Sequence, residues 1–265
     1  MIHPDSLWQD LAALRQKAPL VHNITNFVVM NVTANALLAL GASPIMAHAT
    51  EELGDLIGIA SSLVLNIGTL DAAWIASMRQ AACEATKRRI PVVLDPVGAG
   101  ASRLRTETAL ALMEIGHPSI LRANPSEILA LAGASGVTKG VDSVNRPEEA
   151  EEAARELARS AKCVVVASGA VDFLTDGTTD VRVSGGSPLM PRITGMGCTA
   201  SALVGAFAAV SASPLAAAVA GMGVMKVAAE MAAEKASGPG TQQVHFLDAL
   251  HRLSQSDLAQ RLQCA

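Results

Sequence analysis

Aromatic side chains are scarce in this 265-residue chain, which has four Phe, two Trp and no Tyr. A surface that binds single-stranded nucleic acid stacks bases on such rings, so the composition argues against one. Positive charge is not in excess either, because 20 Lys and Arg stand against 24 Asp and Glu, a formal net charge of −4. Binding to a phosphate backbone depends on clustered positive charge, and we therefore expect no nucleic-acid partner.

Cysteine is also sparse, and its spacing fits neither a disulfide framework nor a metal site. The four cysteines are scattered, without a C-x-x-C pair: Cys83, Cys163, Cys198 and Cys264. This usage is typical of a reducing compartment. No His pair has the spacing of zinc ligands, and the N-terminal residues lack the basic-then-apolar layout of a secretory signal. We expect a cytoplasmic protein.

Charge is absent from one long stretch, between Arg192 and Lys226. The stretch is rich in Ala, Gly and Ser, which contribute little to membrane insertion, and Ser213-Pro214 divides it. We interpret each half as a buried helix and expect no membrane partner.

Short apolar runs that alternate with helical patterns are abundant, for example residues 62–66 between the helical patterns 51–60 and 71–89. Such alternation indicates a parallel sheet covered by helices on both faces. Residues 171–175 and 181–184 look like edge strands. Because no linker or repeat is evident, we predict one domain over residues 1–265, an α/β fold built as a three-layer α/β/α sandwich with a mostly parallel central sheet.

A glycine pair stands ahead of the uncharged stretch, in Thr194-Gly195-Met196-Gly197-Cys198. Thr194 can cap a helix, and the glycines permit a tight turn before it. The first N–H groups of a helix have no internal partner, and its dipole favours negative charge. We interpret Gly195, Met196, Gly197 and Cys198 as an anion hole for phosphate. The alternative is a helix start that packs closely against a neighbour.

The same residues fit the dinucleotide fingerprint G-x-G-x-x-A, but two observations argue against it. Pro188 and Pro191 interrupt the preceding segment, which is therefore a poor strand, and the next acidic residue, Glu230, lies too far along the chain for a ribose contact. No G-x-x-x-x-G-K-[ST] loop occurs, which excludes a P-loop NTPase.

Polar turns follow several predicted strands, and in a parallel sheet such turns meet at one edge. Asp95 follows one strand and Glu127 begins the helix after another, so we expect two carboxylates at one cleft. Two carboxylates near phosphates are typical of Mg²⁺, and together with an anion hole they favour phosphoryl transfer. Taken singly, Asp95 could be a turn residue and Glu127 could form a capping box with Asn124.

With these residues in view, the chain resembles the hydroxyethylthiazole kinase family of the ribokinase-like superfamily. Six collinear blocks carry the resemblance: Pro19-Leu-Val-His-Asn-Ile-Thr-Asn26, Leu37-Leu-Ala-Leu-Gly-Ala-Ser-Pro-Ile-Met46, Leu65-Asn-Ile-Gly-Thr69, Leu94-Asp-Pro-Val-Gly-Ala-Gly-Ala101, Arg122-Ala-Asn-Pro-Ser-Glu127 and Thr194-Gly-Met-Gly-Cys198. The resemblance implies ATP-dependent phosphorylation of the alcohol of 4-methyl-5-(2-hydroxyethyl)thiazole, a step of thiamine biosynthesis and salvage. It also implies Mg²⁺ as cofactor and a homotrimer with active sites between subunits.

Site residues follow from the resemblance, position by position. Arg122 and Ser168 resemble the ATP-binding positions, the second of which is more often Thr. The positions that resemble thiazole contacts are Met46 and Gly195, with Asn26 and Val28 on the same wall. Asp95 and Glu127 match the metal and phosphate carboxylates.

Cys198 stands where most ribokinase-like sugar kinases have the Asp of G-x-G-D, the base that takes the alcohol proton. A helix N-terminus lowers the pKa of a thiol, so a thiolate base is one expectation. A loose transition state that needs no strong base is a second, and a structural thiol is a third.

Three alternatives remain. A hydroxymethylpyrimidine or pyridoxal kinase and an ATP- or ADP-dependent nicotinamide-nucleotide-hydrate dehydratase share the implied fold, and both tend to have Asp at the Cys198 position. A nucleotide sensor would not need Asp95, Glu127 and Cys198 together.

Overall fold

The structure is a computed structural model that describes residues 4–136 and 147–265. Its centre is a nine-stranded sheet with the order β2-β1-β3-β4-β5-β6-β7-β8-β9. The strands are β1 (Leu20–Ile24), β2 (Ser43–Ile45), β3 (Ser62–Asn66), β4 (Val92–Asp95), β5 (Ile120–Ala123), β6 (Val164–Ala167), β7 (Asp172–Thr175), β8 (Asp180–Ser184) and β9 (Gln263–Cys264). All pairings from β2 to β6 are parallel, and those from β6 to β9 are antiparallel.

Helices cover both faces of this sheet. They are α1 (Pro4–Lys17), α2 (Met30–Leu40), α3 (Leu53–Ile59), α4 (Ala72–Arg88), α5 (Arg103–Gly116), α6 (Pro125–Ala134), α7 (Pro147–Ala161), α8 (Met196–Ala208), α9 (Pro214–Ala233), α10 (Pro239–Arg252) and α11 (Gln255–Arg261), with a 3₁₀ turn at Met190–Arg192. Side chains alternate along each strand, so the sheet separates two apolar cores. Helices α1, α2 and α8–α11 pack on one core and α3–α7 on the other. The predicted α/β/α sandwich with a mostly parallel sheet is confirmed.

Helix α9 is long and apolar enough to cross a membrane, but 78% of its apolar window is buried inside the protein. Together with α8 it forms much of one core, as the interpretation of buried helices predicts. Glycine lets α8 and α9 approach each other closely, which is consistent with a core that contains few aromatic rings. A Cβ on Gly221 would lie 2.7 Å from the Cα of Val204.

The turns from helices into strands have a shared backbone feature at the amino edge of the sheet. Ala18, Arg89, His117 and Lys162 all have positive φ there, between 39° and 58°. The corresponding residue after α2 is Gly41, which adopts this conformation at lower cost. These turns lie opposite the carboxyl ends of the strands.

Several local predictions were wrong. β7 is an interior strand, because β8 and then the C-terminal β9 pair outside it. The sequence around Gln263–Cys264 is too short and polar to signal a strand. The short helix α11 was not predicted either. Thr194 does not cap α8, whose N-cap is Gly195.

Candidate active site

A cavity of about 780 Å³ opens at the carboxyl ends of β5 and β6, beside the start of α8. It brings together five of the predicted site residues, which are Arg122, Ser168, Gly195, Met196 and Gly197. The remaining lining residues are Gly169, Ala170, Asp172, Gly185, Gly186, Ser187, Pro188, Met190, Pro191, Ile193, Ala200, Met222, Met225 and Lys226. The Met, Pro and Ile side chains make much of the wall apolar.

The first turn of α8 presents free backbone donors. Thr199 N–H is the first that bonds back to the chain, donating to the carbonyl of Gly195 at 2.8 Å. Among the described residues, the N–H groups of Met196, Gly197 and Cys198 have no acceptor. Helix α8 has 13 residues, so its dipole adds to the positive potential of these groups. The arrangement suits an anion.

Each of the two glycines in this turn is required for a different physical reason. Gly195 has a φ of +83°, and a Cβ there would lie 2.7 Å from Val29 Cγ1. A Cβ on Gly197 would lie 2.9 Å from Arg122 Nη1. Gly197 therefore lets the guanidinium of Arg122 approach the helix start, as the close-packing interpretation predicts. The guanidinium also places a positive charge beside the free N–H groups.

Strand β5 positions Arg122. Val93 and Ile120 are paired across β4 and β5, so Asp95 and Arg122, each two residues later, point to the same face. Arg122 Nη2 donates to Ser168 Oγ at 2.5 Å, and Nη1 lies 3.7 Å from Asp95 Oδ2. Ser168 Oγ also donates to the carbonyl of Ala123 at 3.2 Å. The two residues that resemble ATP-binding positions are thus in direct contact.

Asp95 is buried behind Arg122 and does not line the cavity. Its Oδ2 accepts hydrogen bonds from Asn66 Nδ2 at 2.8 Å and from Ser201 Oγ at 2.7 Å. Oδ1 is buried and has no partner among the described residues. Burial raises the pKa of Asp95 to about 6, although Arg122 and the two hydrogen bonds favour the charged form.

Glu127 forms the capping box that the alternative interpretation predicts. Its Oε2 accepts from Asn124 N–H at 2.8 Å, while Asn124 Oδ1 accepts from Glu127 N–H at 2.9 Å. Oε1 accepts from Gly98 N–H at 2.7 Å, so Glu127 also fixes the turn after β4. Both carboxylate oxygens therefore have backbone donors.

Cys198 faces the other end of the site, toward Asn26. Asn26 Nδ2 lies 3.5 Å from Cys198 Sγ and donates to Asn66 Oδ1 at 2.8 Å. A chain of contacts thus joins Cys198 to Asp95 through two amides. Burial, with the Asp95 charge, raises the pKa of the Cys198 thiol. Desolvation of this partly buried thiol is the largest cause and acts against the lowering that a helix N-terminus favours. The thiolate base stays a prediction.

Met46 and Val28 do not line the cavity. Met46 follows β2 and is partly buried against the core on the α8 side, whereas Val28 is 62% exposed. Phe27 is exposed beside Val28 and contacts Trp74, on which His48 stacks. These rings form an apolar wall on the Asn26 side that the sequence did not reveal.

Three further residues, which the sequence did not single out as site residues, organise the strand ends. Arg105 donates to the carbonyls of Ile67, Val97 and Gly68 at 2.7–2.8 Å and so joins two of the turns. Lys226 and Asp172 form a buried ion pair at the cavity, 3.4 Å apart. One signal was available for Lys226, since it is the one charge in a long apolar stretch.

The chain is similar to known proteins over most of its length. The model of the hydroxyethylthiazole kinase family matches residues 11–256. A hydroxyethylthiazole kinase of Nitratidesulfovibrio vulgaris Miyazaki F is 60% identical over 262 residues, which cover 99% of this chain and 98% of that protein. A second, from Oleidesulfovibrio alaskensis, is 61% identical over 252 residues, 95% of each chain.

Solved structures give the same result. The hydroxyethylthiazole kinase protein of Pyrococcus horikoshii superposes with a TM-score of 0.92 at 43% identity, over 98% of both chains. The Staphylococcus aureus pyridoxal kinase solved with pyridoxal has a TM-score of 0.64 at 15% identity, over 93% of this chain and 97% of that one. The second likeness shows the ribokinase-like fold alone. The resemblance of the six blocks is confirmed, and the chain belongs to the hydroxyethylthiazole kinase family.

Proposed function

We propose that this chain transfers the γ-phosphoryl group of ATP to the hydroxyl of 4-methyl-5-(2-hydroxyethyl)thiazole, a step of thiamine biosynthesis and salvage, at the start of α8. One observation carries the proposal. Three N–H groups that have no acceptor within residues 4–136 and 147–265 stand at a helix N-terminus, beside the guanidinium of Arg122 and a large cavity. Phosphoryl transfer depends mainly on positioning and charge neutralisation, and these donors supply both.

ATP occupies the cavity in this proposal, with Arg122 and Ser168 as ligands. The volume of about 780 Å³ is ample for a nucleotide. Met190, Met222 and Met225 offer polarisable apolar contacts for a base in a chain that has few aromatic rings. Arg122 brings positive charge to the phosphates, and Gly195, Met196, Gly197 and Cys198 form the anion hole.

The acceptor lies on the Asn26 side. Gly195 lines the cavity and approaches Val29, and Asn26 places an amide against Cys198. Val28 and Met46 complete an apolar wall for the thiazole ring. The hydroxyl of the acceptor then reaches the region between the Cys198 side chain and the backbone N–H groups of the anion hole.

Cys198 acts as a neutral thiol in this proposal. Its raised pKa keeps the sulfur protonated near pH 7, so a thiolate base is disfavoured. Cys198 instead shapes the space for the acceptor hydroxyl and offers a weak hydrogen-bond partner. The loose transition state does not require a strong base.

The arrangement of the carboxylates suits a Mg²⁺ ion that binds together with the nucleotide. It suits an ion held by the protein alone less well. Among residues 4–136 and 147–265, no group of three or more His, Cys, Asp and Glu could hold a metal. Asp95 nevertheless has an unpartnered Oδ1, and Mg²⁺ commonly uses one or two carboxylates together with phosphates and water. Asp95 would hold the ion, with Glu127 fixing the adjacent turn. When bound, Mg²⁺ neutralises phosphate charge.

We also propose a single domain in a cytoplasmic homotrimer whose subunits complete the acceptor side. Four large apolar side chains are more than half exposed on α2, α3 and the segment before α2: Phe27, Val28, Leu38 and Ile59. Exposed apolar groups of this kind mark association surfaces. Light scattering after chromatography tests the trimer, and Leu38→Glu should dissociate it.

The deciding experiment measures phosphate transfer from ATP with Mg²⁺ to hydroxyethylthiazole, hydroxymethylpyrimidine and pyridoxal in parallel. We expect product on the thiazole alone. Product on the pyrimidine or pyridine acceptor would keep the phosphoryl-transfer site and overturn the acceptor. No transfer to any acceptor, with ATP still bound, would overturn the proposed reaction.

A further inference from the structure

A buried ion pair stands at the wall of the cavity without a role in the reaction described above. Lys226 of α9 is 4% exposed and Asp172, the first residue of β7, is 1% exposed. Their charged atoms Nζ and Oδ2 lie 3.4 Å apart. Two charges taken out of water need a full set of partners.

The ammonium of Lys226 finds its partners within one turn. Nζ donates to the carbonyl of Gly169 at 2.7 Å and to that of Ala170 at 2.9 Å, and Asp172 is its third neighbour. These carbonyls use two of the three N–H donors of the ammonium, while Asp172 Oδ2 has no hydrogen-bond partner among the described residues and acts on Lys226 through its charge. Although Lys226 lines the cavity, its charge is directed at the turn that joins β6 to β7.

Asp172 holds the same turn from its other side. Its Oδ1 accepts from Gly169 N–H at 2.8 Å, so the ion pair bonds both the amide and the carbonyl of Gly169. Ser168 immediately precedes this residue and contacts Arg122. The position of the Ser168 hydroxyl therefore depends on the ion pair through one peptide unit.

Helix α9 also contacts the loop across the cavity. Glu230, one turn after Lys226, accepts from Gly186 N–H at 3.2 Å. The stem of Lys226 packs against the same loop, since a Cβ on Gly186 would lie 3.2 Å from Lys226 Cδ. One face of α9 thus fixes two of the loops that border the cavity.

We infer that Lys226 and Asp172 are positioning residues for the nucleotide: they hold the Ser168–Ala170 turn so that Ser168 and Arg122 meet ATP together. The inference rests on the proposed placement of ATP in this cavity. The acceptor side, around Asn26 and Cys198, shares no contact with the ion pair. Breaking the ion pair should therefore weaken the binding of the nucleotide and leave the binding of the acceptor nearly unchanged.

The first test is Lys226→Met, with Lys235→Met as the matched control on the exposed residue beyond the same helix. We expect Lys226→Met to raise the KM for ATP and the calorimetric Kd for the nucleotide by about tenfold or more, with the KM for the thiazole changed less than about threefold. Lys235→Met should match the parent. An unchanged nucleotide Kd in a folded Lys226→Met protein would overturn the inference, as would equal losses for both substrates.

Lys226→Met leaves Asp172 charged and unpaired, which could unfold the chain. The double variant Lys226→Met/Asp172→Asn removes that charge and should fold while still binding ATP weakly. In Lys226→Ala, added ethylamine or propylamine should restore part of the ATP affinity, because a small ammonium can enter from the cavity. If the amine does not restore ATP affinity in a folded, weakly binding Lys226→Ala protein, the inference is overturned, because Lys226 would then act through packing alone. If the parent itself fails to bind ATP, the proposed nucleotide site fails instead.

Discussion

The two halves of the candidate site are built differently. The nucleotide half, around β5 to β8, has charged groups that are paired within the chain: Arg122 with Asp95, and Lys226 with Asp172. The acceptor half, around Asn26, is joined by neutral amides, and Phe27 and Val28 beside it are exposed. One chain therefore forms a cavity whose charged residues are already paired, whereas the Asn26 side has exposed apolar side chains that the proposed homotrimer would cover.

The largest effect is expected from a substitution of Arg122, in the nucleotide half. Arg122→Met should lower kcat/KM for ATP by about 10²–10³-fold, since removing a charged donor from a transition state typically costs that much. The KM for the thiazole should change far less. Steady-state kinetics with each substrate varied in turn provide the measurement. A similar loss for both substrates would show that the halves are not separable.

The second prediction concerns Asp95, which joins the halves. Its pKa is about 6 in the folded chain and ordinarily 3.8, so the folded state holds the proton more tightly. Stability from this group is complete below about pH 4 and is lost as the pH rises through 6. The difference corresponds to about 3 kcal/mol for a group that is fully buried.

Asp95→Asn lacks this titration. Relative to the parent, its unfolding free energy should increase by about 2–3 kcal/mol between pH 4 and pH 7.5. Urea unfolding without metal or nucleotide measures the difference, and the exposed Asp55→Asn variant should follow the parent. A constant difference across this pH range would contradict the raised pKa.

Asp95 and Arg122 also show how much of the site can be predicted from the sequence. Asp95 and Arg122 end short apolar runs, and the meeting of parallel strands at one edge predicts that they lie together. Ser201, which donates to Asp95, could not be predicted, because it comes from a helix more than 100 residues after Asp95. The site assignments drawn from the family, including Met46 and Glu127, stay predictions.

Properties that depend on burial were harder to predict than positions. The helix dipole alone suggests a more acidic Cys198, but desolvation, which a sequence does not show, acts in the opposite direction. The strand β9 was missed for a related reason, since it forms only because the chain end meets β8. Long-range contacts supply the physical cause in both cases.

The third prediction tests the acceptor half at Cys198. Cys198→Ala should lower kcat by about tenfold, less than the 10²–10⁴-fold typical of a lost general base, because the thiol is already neutral. Cys198→Asp should stay active, since the position tolerates an acid in similar kinases. ATP affinity should be unchanged in both. Complete loss of turnover in both variants, with folding and ATP binding intact, would contradict a neutral shaping role.

The smallest expected effect comes from the opposite edge of the sheet and serves as a control for the comparison. His117 has a φ of 39° after α5, a conformation that costs a residue with a Cβ about 1 kcal/mol or more. His117→Gly should therefore raise the unfolding free energy by about 0.5–1 kcal/mol, after the entropy cost of glycine. Arg89→Gly, at the equivalent turn with a φ of 58°, should give a similar gain. Denaturant unfolding measures both, and the KM values for ATP and the thiazole should equal those of the parent. A change in only one KM would show that the amino edge communicates with one half of the site and not the other.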